Sequence, residues 1–181
     1  AGLWAKSPSN LVAVRREAPR LGQHTAEVRA ELAEPSSQPA VGSEIDGKLP
    51  CDGGTVADLA WVGGGPISSK YLADHGATVV RVESENRPDV LRGGAPFKDA
   101  EPGWNRSQFF GDFNTSKRGL ALDMKLPEAR ELAKKLIGWS DVLIESFAPG
   151  AFARMGLSYD EVSKLNPGVI MVSTCLMGQT G

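Results

Sequence analysis

The segment 66–83, PISSKYLADHGATVVRVE, decides the fold class of this chain. Its first half predicts a helix from Pro66 to about His75, because its apolar residues share one face and proline suits the first turn of a helix. Gly76 suits the left-handed residue that follows a last helical turn. The β-branched run 77–83 then predicts a short strand, so helix and strand follow each other at once, as in a parallel sheet with crossover helices.

The same alternation continues on both sides of this segment. Further strands are predicted at 56–62, 119–124, 141–145 and 169–174, and further helices from Pro127, at 149–156 and around 159–165. Leu126 stands at the cap position of the helix that Pro127 opens and lacks a capping oxygen. Residues 84–117 are predicted to be a long loop. The expected fold class is therefore α/β, a parallel sheet with helices on both faces.

The first 54 residues have a different composition. Residues 1–33 predict an extended tail followed by a short helix, and residues 34–54 are rich in Pro, Gly and Ser, as linkers are. The domain that carries the sheet is predicted to span 55–181.

Charge and composition exclude several classes of protein. The net charge is −2, which disfavours nucleic acid as a partner. No apolar run approaches the roughly 20 residues that a membrane-spanning helix needs. Cys51 and Cys175 have no metal-ligand spacing, and no signal peptide is visible, so we expect a cytoplasmic protein without a metal or a disulfide.

Three stretches near predicted strand ends could bind a ligand. The glycines 63–65 precede a helix and suit a phosphate, or else they form a tight turn without a ligand. The basic stretch 114–118, together with Lys125, could bind phosphate oxygens or be a solvated charge cluster. Phe147 follows a strand and could stack on a flat ring or belong to the core.

In this order, these motifs resemble the class III CoA-transferase (CaiB/BaiF) family, whose members include formyl-CoA transferase and α-methylacyl-CoA racemase. The matching stretches are 56–59 with Gly65-Pro66, 72–83, 114–125, 141–156, 165–170 and 178–181. Residues 15–32 are similar to the C-terminal tail of the same family. We therefore expect a fragment that spans the junction of two fused copies, with residues 1–33 as the tail of the preceding copy.

The resemblance implies a Rossmann-like domain that binds coenzyme A and acyl-CoA as substrates, with no tightly bound cofactor, in an interlocked dimer. The positions that correspond to CoA contacts are Gly63, Gly64, Leu122, Asp123, Met124, Lys125, Ser146, Phe147, Ala148, Arg154, Cys175, Leu176, Met177 and Gly178. Ser84 stands where the family often has a cation for the nucleotide end, and Cys175 where some members have a lysine. Arg81 and Arg87 are the candidates to compensate.

The family's transferases move CoA between carboxylic acids through a nucleophilic aspartate. By the resemblance, that aspartate lies beyond the end of this chain, so we expect part of a CoA site here and no complete active site. The alternatives are a noncatalytic CoA- or nucleotide-binding module and a fragment of an acyl-CoA racemase.

Overall fold

A computed structural model describes residues 49–179, and these residues build a parallel sheet of five strands. The strands are β1 (Thr55–Leu59), β2 (Thr78–Glu83), β3 (Arg118–Ala121), β4 (Val142–Glu145) and β5 (Ile170–Ser173). They stand in the order β3-β2-β1-β4-β5, with every neighbouring pair parallel. The order reverses between β1 and β4, and in such sheets ligands bind beyond the carboxyl ends of the strands at that point.

Helices connect successive strands and cover both faces of the sheet. They are α1 (Gly64–Asp74), α2 (Gln108–Phe113), α3 (Pro127–Trp139), α4 (Ala151–Arg154) and α5 (Tyr159–Leu165), with 3-10 turns at Val90–Gly93 and Lys98–Ala100. This architecture confirms the predicted α/β, Rossmann-like fold. As predicted, Leu126 caps α3 without a side-chain hydrogen bond, and Pro127 occupies the first turn.

Two apolar clusters hold the helices to the sheet. On one face, Val56, Val79 and Ile144 pack against Ala73 of α1. On the other face, Leu59 and Leu143 pack against Ile137 of α3, Phe152 of α4 and Val162 of α5, among others. Both faces of β1 and β4 are therefore buried, which explains why their sequences are almost continuously apolar.

Several predicted boundaries differ from the structure. The segment 84–117 was predicted to be a loop, but it contains α2, whose first turn is capped by the Ser107 hydroxyl. Strand β1 ends at Leu59 rather than at Val62, because Val62 and Gly63 both adopt positive φ angles and turn the chain into α1. Helix α4 begins at Ala151 rather than at Pro149, since Gly150 has a φ of 73°.

The predicted tail 1–33 and most of the predicted linker 34–54 lie outside the described residues. Residues 49–54, the end of that linker, form turns in which the Cys51 N–H donates to the His75 carbonyl and the Gly54 carbonyl accepts from the Thr78 N–H. Within residues 49–179, no helix is long and apolar enough to cross a bilayer.

Candidate functional site

A cleft of about 590 Å³ lies at the carboxyl ends of the strands, on the face of the sheet that α3 and α4 cover. Four strand ends contribute to it, together with the first turn of α3 and with α4. Its walls are formed by Leu59, Trp61, Val82, Glu83, Ser84, Asn86, Arg87, Leu122, Asp123, Met124, Lys125, Arg130, Ser146, Phe147, Ala148, Ala151 and Met155. It occupies the place where the strand order reverses, which is where such folds bind ligands.

The floor of the cleft is apolar and continuous with the core. Leu59 and Val82 are buried core residues, and Leu122 and Phe147 pack against the same cluster while remaining partly exposed. The Phe147 ring stacks on Phe152, with centroids 5.3 Å apart and planes 25° from parallel. Phe147 therefore has the core role that was one of its two predicted roles, and it also lines the cleft; its stacking on the flat ring of a ligand stays a prediction.

Hydrogen bonds fix the loops that form the walls. The Ser146 hydroxyl accepts from the Trp61 N–H at 2.5 Å and donates to the Trp61 carbonyl at 3.2 Å, which ties the end of β4 to the end of β1. Arg130 donates through Nε to the Met124 carbonyl at 2.8 Å and through a terminal nitrogen to the Lys125 carbonyl at 3.3 Å. The loop after β3 is thus held against α3 by hydrogen bonds of the protein itself.

The carboxylates of the cleft are engaged by neighbouring donors. Asp123 accepts from the Lys125 N–H and from Asn86, and these bonds lower the pKa of its carboxyl. Glu83 accepts from Arg92 at 2.7 and 2.9 Å. Burial raises the pKa of Glu83, but the bonds from Arg92 and from the Asp89 N–H outweigh burial, so its pKa lies below the ordinary value. Both groups are held as anions.

Two of the cations in the cleft wall are exposed to solvent. Arg87 is exposed, with its guanidinium carbon 4.6 Å from the centroid of the Trp61 ring. Lys125 is exposed on the loop after β3. The third cation, Arg130, uses its nitrogens on backbone carbonyls, as described above.

The structure brings together seven of the residues predicted as CoA contacts. Leu122, Asp123, Met124, Lys125, Ser146, Phe147 and Ala148 all line the cleft. These residues belong to the two loops that follow β3 and β4. In the sheet, β2 and β1 lie between these two strands. Their convergence is a consequence of the parallel topology, because every strand delivers its carboxyl end to the same edge.

The other predicted contacts lie outside the walls of this cleft. Gly63 is the cap residue of α1, with a φ of 74°, and Gly64 is the exposed first residue of that helix. Arg154 is exposed on α4, with a terminal nitrogen near Gly150. The remaining segment follows β5. In it, Cys175 is half-buried, whereas Leu176, Met177 and Gly178 are exposed.

The third glycine of the 63–65 triplet has a packing role that the sequence did not reveal. A Cβ atom on Gly65 would lie 2.3 Å from the Cβ of Ala60 and 3.2 Å from the Thr174 hydroxyl oxygen. Gly65 therefore lets the first turn of α1 approach the end of β1, and a Cβ atom on Gly64 would meet open space.

A network of buried charges lies on the opposite face of the sheet and was missed in the sequence. Asp58 of β1 is fully buried and accepts from Ser69 at 2.7 Å, from Arg81 at 3.3 Å and from Lys117 at 2.9 Å. Arg81 also pairs with the buried Asp89. Two cations and two carboxylates thus neutralise each other inside the protein, and they connect β1 and β2 to the segment 84–117.

This network corrects the interpretation of the basic stretch 114–118. Lys117 is neither a phosphate ligand nor part of a solvated cluster, because its side chain is only 2% exposed and its ammonium also donates to the Pro66 carbonyl and to Asn114. Thr115 and Ser116 donate to Asp74 of α1 instead of facing a ligand. The signal that could have found this network is the lone aspartate inside the apolar run 56–60, because a buried carboxylate needs a partner.

Comparison with known proteins gives matches that agree on one family. The model of CoA-transferase family III matches residues 51–181. Succinyl-CoA:glutarate CoA-transferase of Mus musculus is 34% identical over 140 residues, which cover 77% of this chain and 31% of that protein. Succinate–glutarate CoA-transferase of Agrobacterium fabrum is 38% identical over 136 residues, which cover 74% of this chain and 34% of that protein.

Solved structures agree with the sequence matches. The crystal structure of a CaiB/BaiF family protein from Brucella suis superposes with a TM-score of 0.67 at 36% sequence identity, covering 74% of this chain and 35% of that one. The chain therefore spans about a third of the length of the curated relatives it matches.

Proposed function

This chain belongs to CoA-transferase family III, and from that premise we propose that residues 51–181 form the CoA-binding portion of an enzyme that moves CoA between carboxylic acids. The observation that carries the proposal is the cleft at the switch point of the sheet, with an apolar floor and cations at its rim. The relatives compared above are a succinyl-CoA:glutarate and a succinate–glutarate CoA-transferase, so a dicarboxylic acyl group is the first substrate class to test.

The chemistry of CoA fits the walls of this cleft. CoA combines a flat adenine ring, phosphate groups and a long pantetheine arm that ends in a thiol. Phe147 and Leu122 offer apolar contact surface to the ring or the arm, while Lys125 stands where it could neutralise a phosphate. A volume of about 590 Å³ lies in the range of small-molecule sites.

We infer that the bound molecule extends beyond the cleft along the carboxyl edge of the sheet. Gly63 and Gly64 open α1, whose first N–H groups have no partner within the helix and could meet a phosphate or a carboxylate. Arg154 and the segment 175–178 follow β4 and β5 at the same edge. These positions remain the proposed outer part of the CoA site.

We further propose that the nucleophilic carboxylate is not one of those in this cleft. A carboxylate that attacks an acyl-CoA thioester needs a free oxygen near the thioester carbonyl. Glu83 and Asp123 are both occupied by several donors, as described above, and Glu83 is only 15% exposed. We therefore expect this cleft to bind CoA without supplying the nucleophile.

Calorimetric titration of this chain with CoA tests the binding proposal. Phe147→Ala should weaken CoA binding about tenfold, because stacking of an aromatic ring on a flat ligand contributes on the order of 1 kcal/mol beyond the buried area. Phe109→Ala is the matched control, since Phe109 is exposed and lies outside the cleft. An unmodified chain that shows no binding at millimolar CoA would overturn the proposal.

Two further measurements test its outer parts. Arg154→Ala should weaken binding more than Arg118→Ala, which removes an exposed arginine from the edge strand β3. A coupled assay with succinyl-CoA and glutarate should show no turnover by the 181-residue chain. Turnover would mean that one of its own carboxylates is the nucleophile.

A further inference from the structure

We propose that Arg87 binds a phosphate group of CoA and that the Trp61 ring positions its guanidinium for this contact. The proposal rests on the proposed function and assigns a role to a residue outside the CoA contacts that the resemblance implies. By the resemblance, Ser84, a neutral residue, stands where a cation that binds the nucleotide part of CoA was expected.

The local backbone places Arg87 beside Ser84. The Arg87 N–H donates to the Ser84 carbonyl at 3.1 Å, and the two residues form an isolated antiparallel bridge. Both line the cleft. A tight turn therefore delivers a cation to the same wall three positions later in the sequence.

The Trp61 ring orders the Arg87 side chain without using up its donors. The guanidinium carbon lies 4.6 Å from the ring centroid, within the range of a cation–π contact. A guanidinium that interacts through its face keeps the N–H groups at its edge, and those groups match a phosphate in bidentate geometry. The Ser146 hydroxyl accepts from the Trp61 N–H and donates to the Trp61 carbonyl, which holds the backbone that carries the ring.

Two other arginines near Ser84 in the fold, Arg81 and Arg92, are paired with carboxylates of the protein. Arg81 is 2% exposed and bonded to two buried aspartates, which removes it as a candidate to compensate for Ser84. Arg92 pairs with Glu83 and stacks on Phe110 at 3.5 Å. Within residues 49–179, by contrast, no carboxylate lies within 4.0 Å of the Arg87 guanidinium, which is exposed at the cleft wall.

Titrations with CoA and with dephospho-CoA, at low and at high salt, test the role of Arg87. Arg87→Ala should raise the Kd for CoA about tenfold at low salt, as expected for loss of a charge-assisted hydrogen bond. It should also flatten the salt dependence of that Kd, because one ionic contact is lost. Arg87→Lys should keep the charge and recover part of the affinity, and Arg118→Ala should change neither quantity.

The two ligands identify the phosphate. If Arg87 binds the 3′-phosphate, Arg87→Ala weakens CoA and leaves dephospho-CoA unchanged; if it binds the pyrophosphate, both weaken alike. A Kd for both ligands within twofold of the unmodified chain, when Phe147→Ala still weakens binding, would overturn the role of Arg87 and leave the proposed function intact. Failure of the unmodified chain to bind CoA would overturn the proposed function itself.

The role of Trp61 as a positioning residue has its own test. Trp61→Phe keeps an aromatic face under the guanidinium and should keep most of the affinity, whereas Trp61→Leu should raise the Kd for CoA severalfold. In an Arg87→Ala background, Trp61→Leu should have a smaller effect, since the cation that it positions is gone. Equal effects in the two backgrounds would show that Trp61 acts independently of Arg87.

Discussion

Cations lie on both faces of the sheet, and the two groups are used in opposite ways. Arg81 and Lys117, on the α1 face, are almost inaccessible to solvent and are paired with the buried Asp58 and Asp89. Arg87 and Lys125, on the cleft face, are exposed. A basic residue beside a strand end is therefore not in itself evidence of a phosphate site. A buried cation pairs with a carboxylate of the protein, whereas an exposed cation remains accessible to a ligand.

Burial also changes the chemistry of the buried group. Removal from water lowers the pKa of the Lys117 ammonium, although the charge of Asp58 opposes this effect. A buried charge needs its partner far more than an exposed one does. The contrast between the two faces can thus be tested by removing partners from each.

The largest effect is expected from Asp58→Asn. This change keeps the shape of the side chain but leaves Arg81 and Lys117 with one carboxylate fewer in a buried site. The free energy of unfolding, measured with urea, should fall by about 3–5 kcal/mol, the cost typical of breaking a buried pair. The matched control is Glu131→Gln, whose pair with Lys134 on α3 is exposed and should be worth less than about 1 kcal/mol.

A loss from Asp58→Asn no larger than that from Glu131→Gln would erase the distinction between the two faces. It would mean that the network is solvated in solution and that Lys117 remains available to a ligand.

A smaller loss is expected when a methyl group is added at the start of α1. Gly65→Ala places its Cβ atom 2.3 Å from the Cβ of Ala60, which is attached directly to the backbone and cannot rotate away. The resulting strain should cost about 1–3 kcal/mol of stability. Gly64→Ala is the neighbouring control, because its Cβ atom would meet open space. A loss at Gly65 no larger than that at Gly64 would show that the contact with Ala60 relaxes at little cost.

The sequence predicted the order of helices and strands because the signals for them are local. Prolines and glycines mark the ends of helices, and β-branched runs such as 78–82 mark strands. Helix α2 was missed because its six residues make fewer than two turns, which is too short to show a helical pattern of apolar residues after a segment rich in proline. The buried network was missed for a different reason: Asp58 and Lys117 are 59 positions apart, and only the folded topology brings them together.

The candidate site was predictable to a similar extent. The loops after β3 and β4 converge because the fold is parallel, which the sequence indicated. The contact of Arg87 with Trp61 depends on the conformation of two turns, at 60–63 and 84–87, and no periodic pattern in the sequence specifies it.

Glu83 lies between the cleft and the buried charge network, and its lowered pKa should make the stability of the protein depend on pH. It lines the cleft, and its carboxylate accepts from Arg92 and lies 3.8 Å from Arg81. Because its pKa is lowered on folding, Glu83 stabilises the protein above its unfolded pKa of about 4.3, and this contribution disappears as the pH falls through its folded pKa. Glu83→Gln should therefore lower stability at neutral pH by about 1–2 kcal/mol, the size of a hydrogen bond to a charged group.

Urea unfolding of both proteins between neutral and acid pH checks this. The free energy of unfolding should depend less steeply on pH in Glu83→Gln below about pH 4.3, and the two curves should approach each other at low pH. Glu161→Gln, which changes an exposed carboxylate on α5, should leave the slope unchanged. Parallel curves for Glu83→Gln and the unmodified chain would place the carboxylate in solvent rather than in the pair with Arg92.

The smallest effect is expected at Leu126, the cap position of α3 on the cleft face. Leu126 is 54% exposed and makes no capping bond. Leu126→Ser would supply an oxygen for the free N–H groups of the first turn, and we expect it to raise the free energy of unfolding by about 1 kcal/mol. Leu126→Ala should give no such gain, which separates capping from the removal of an exposed leucine.

Variants at position 126 can also distinguish an effect on stability from an effect on ligand binding, because the neighbouring Lys125 lines the cleft. Leu126→Asp should cap the helix as well as serine does, but it places a negative charge beside the cation proposed to meet a phosphate. We therefore expect serine to leave the Kd for CoA unchanged and aspartate to raise it, with a difference that shrinks in high salt because the site is exposed. Equal CoA affinities for the two variants at low salt would show that Lys125 lies outside the reach of the bound phosphates, and would leave Arg87 as the proposed cation of this cleft.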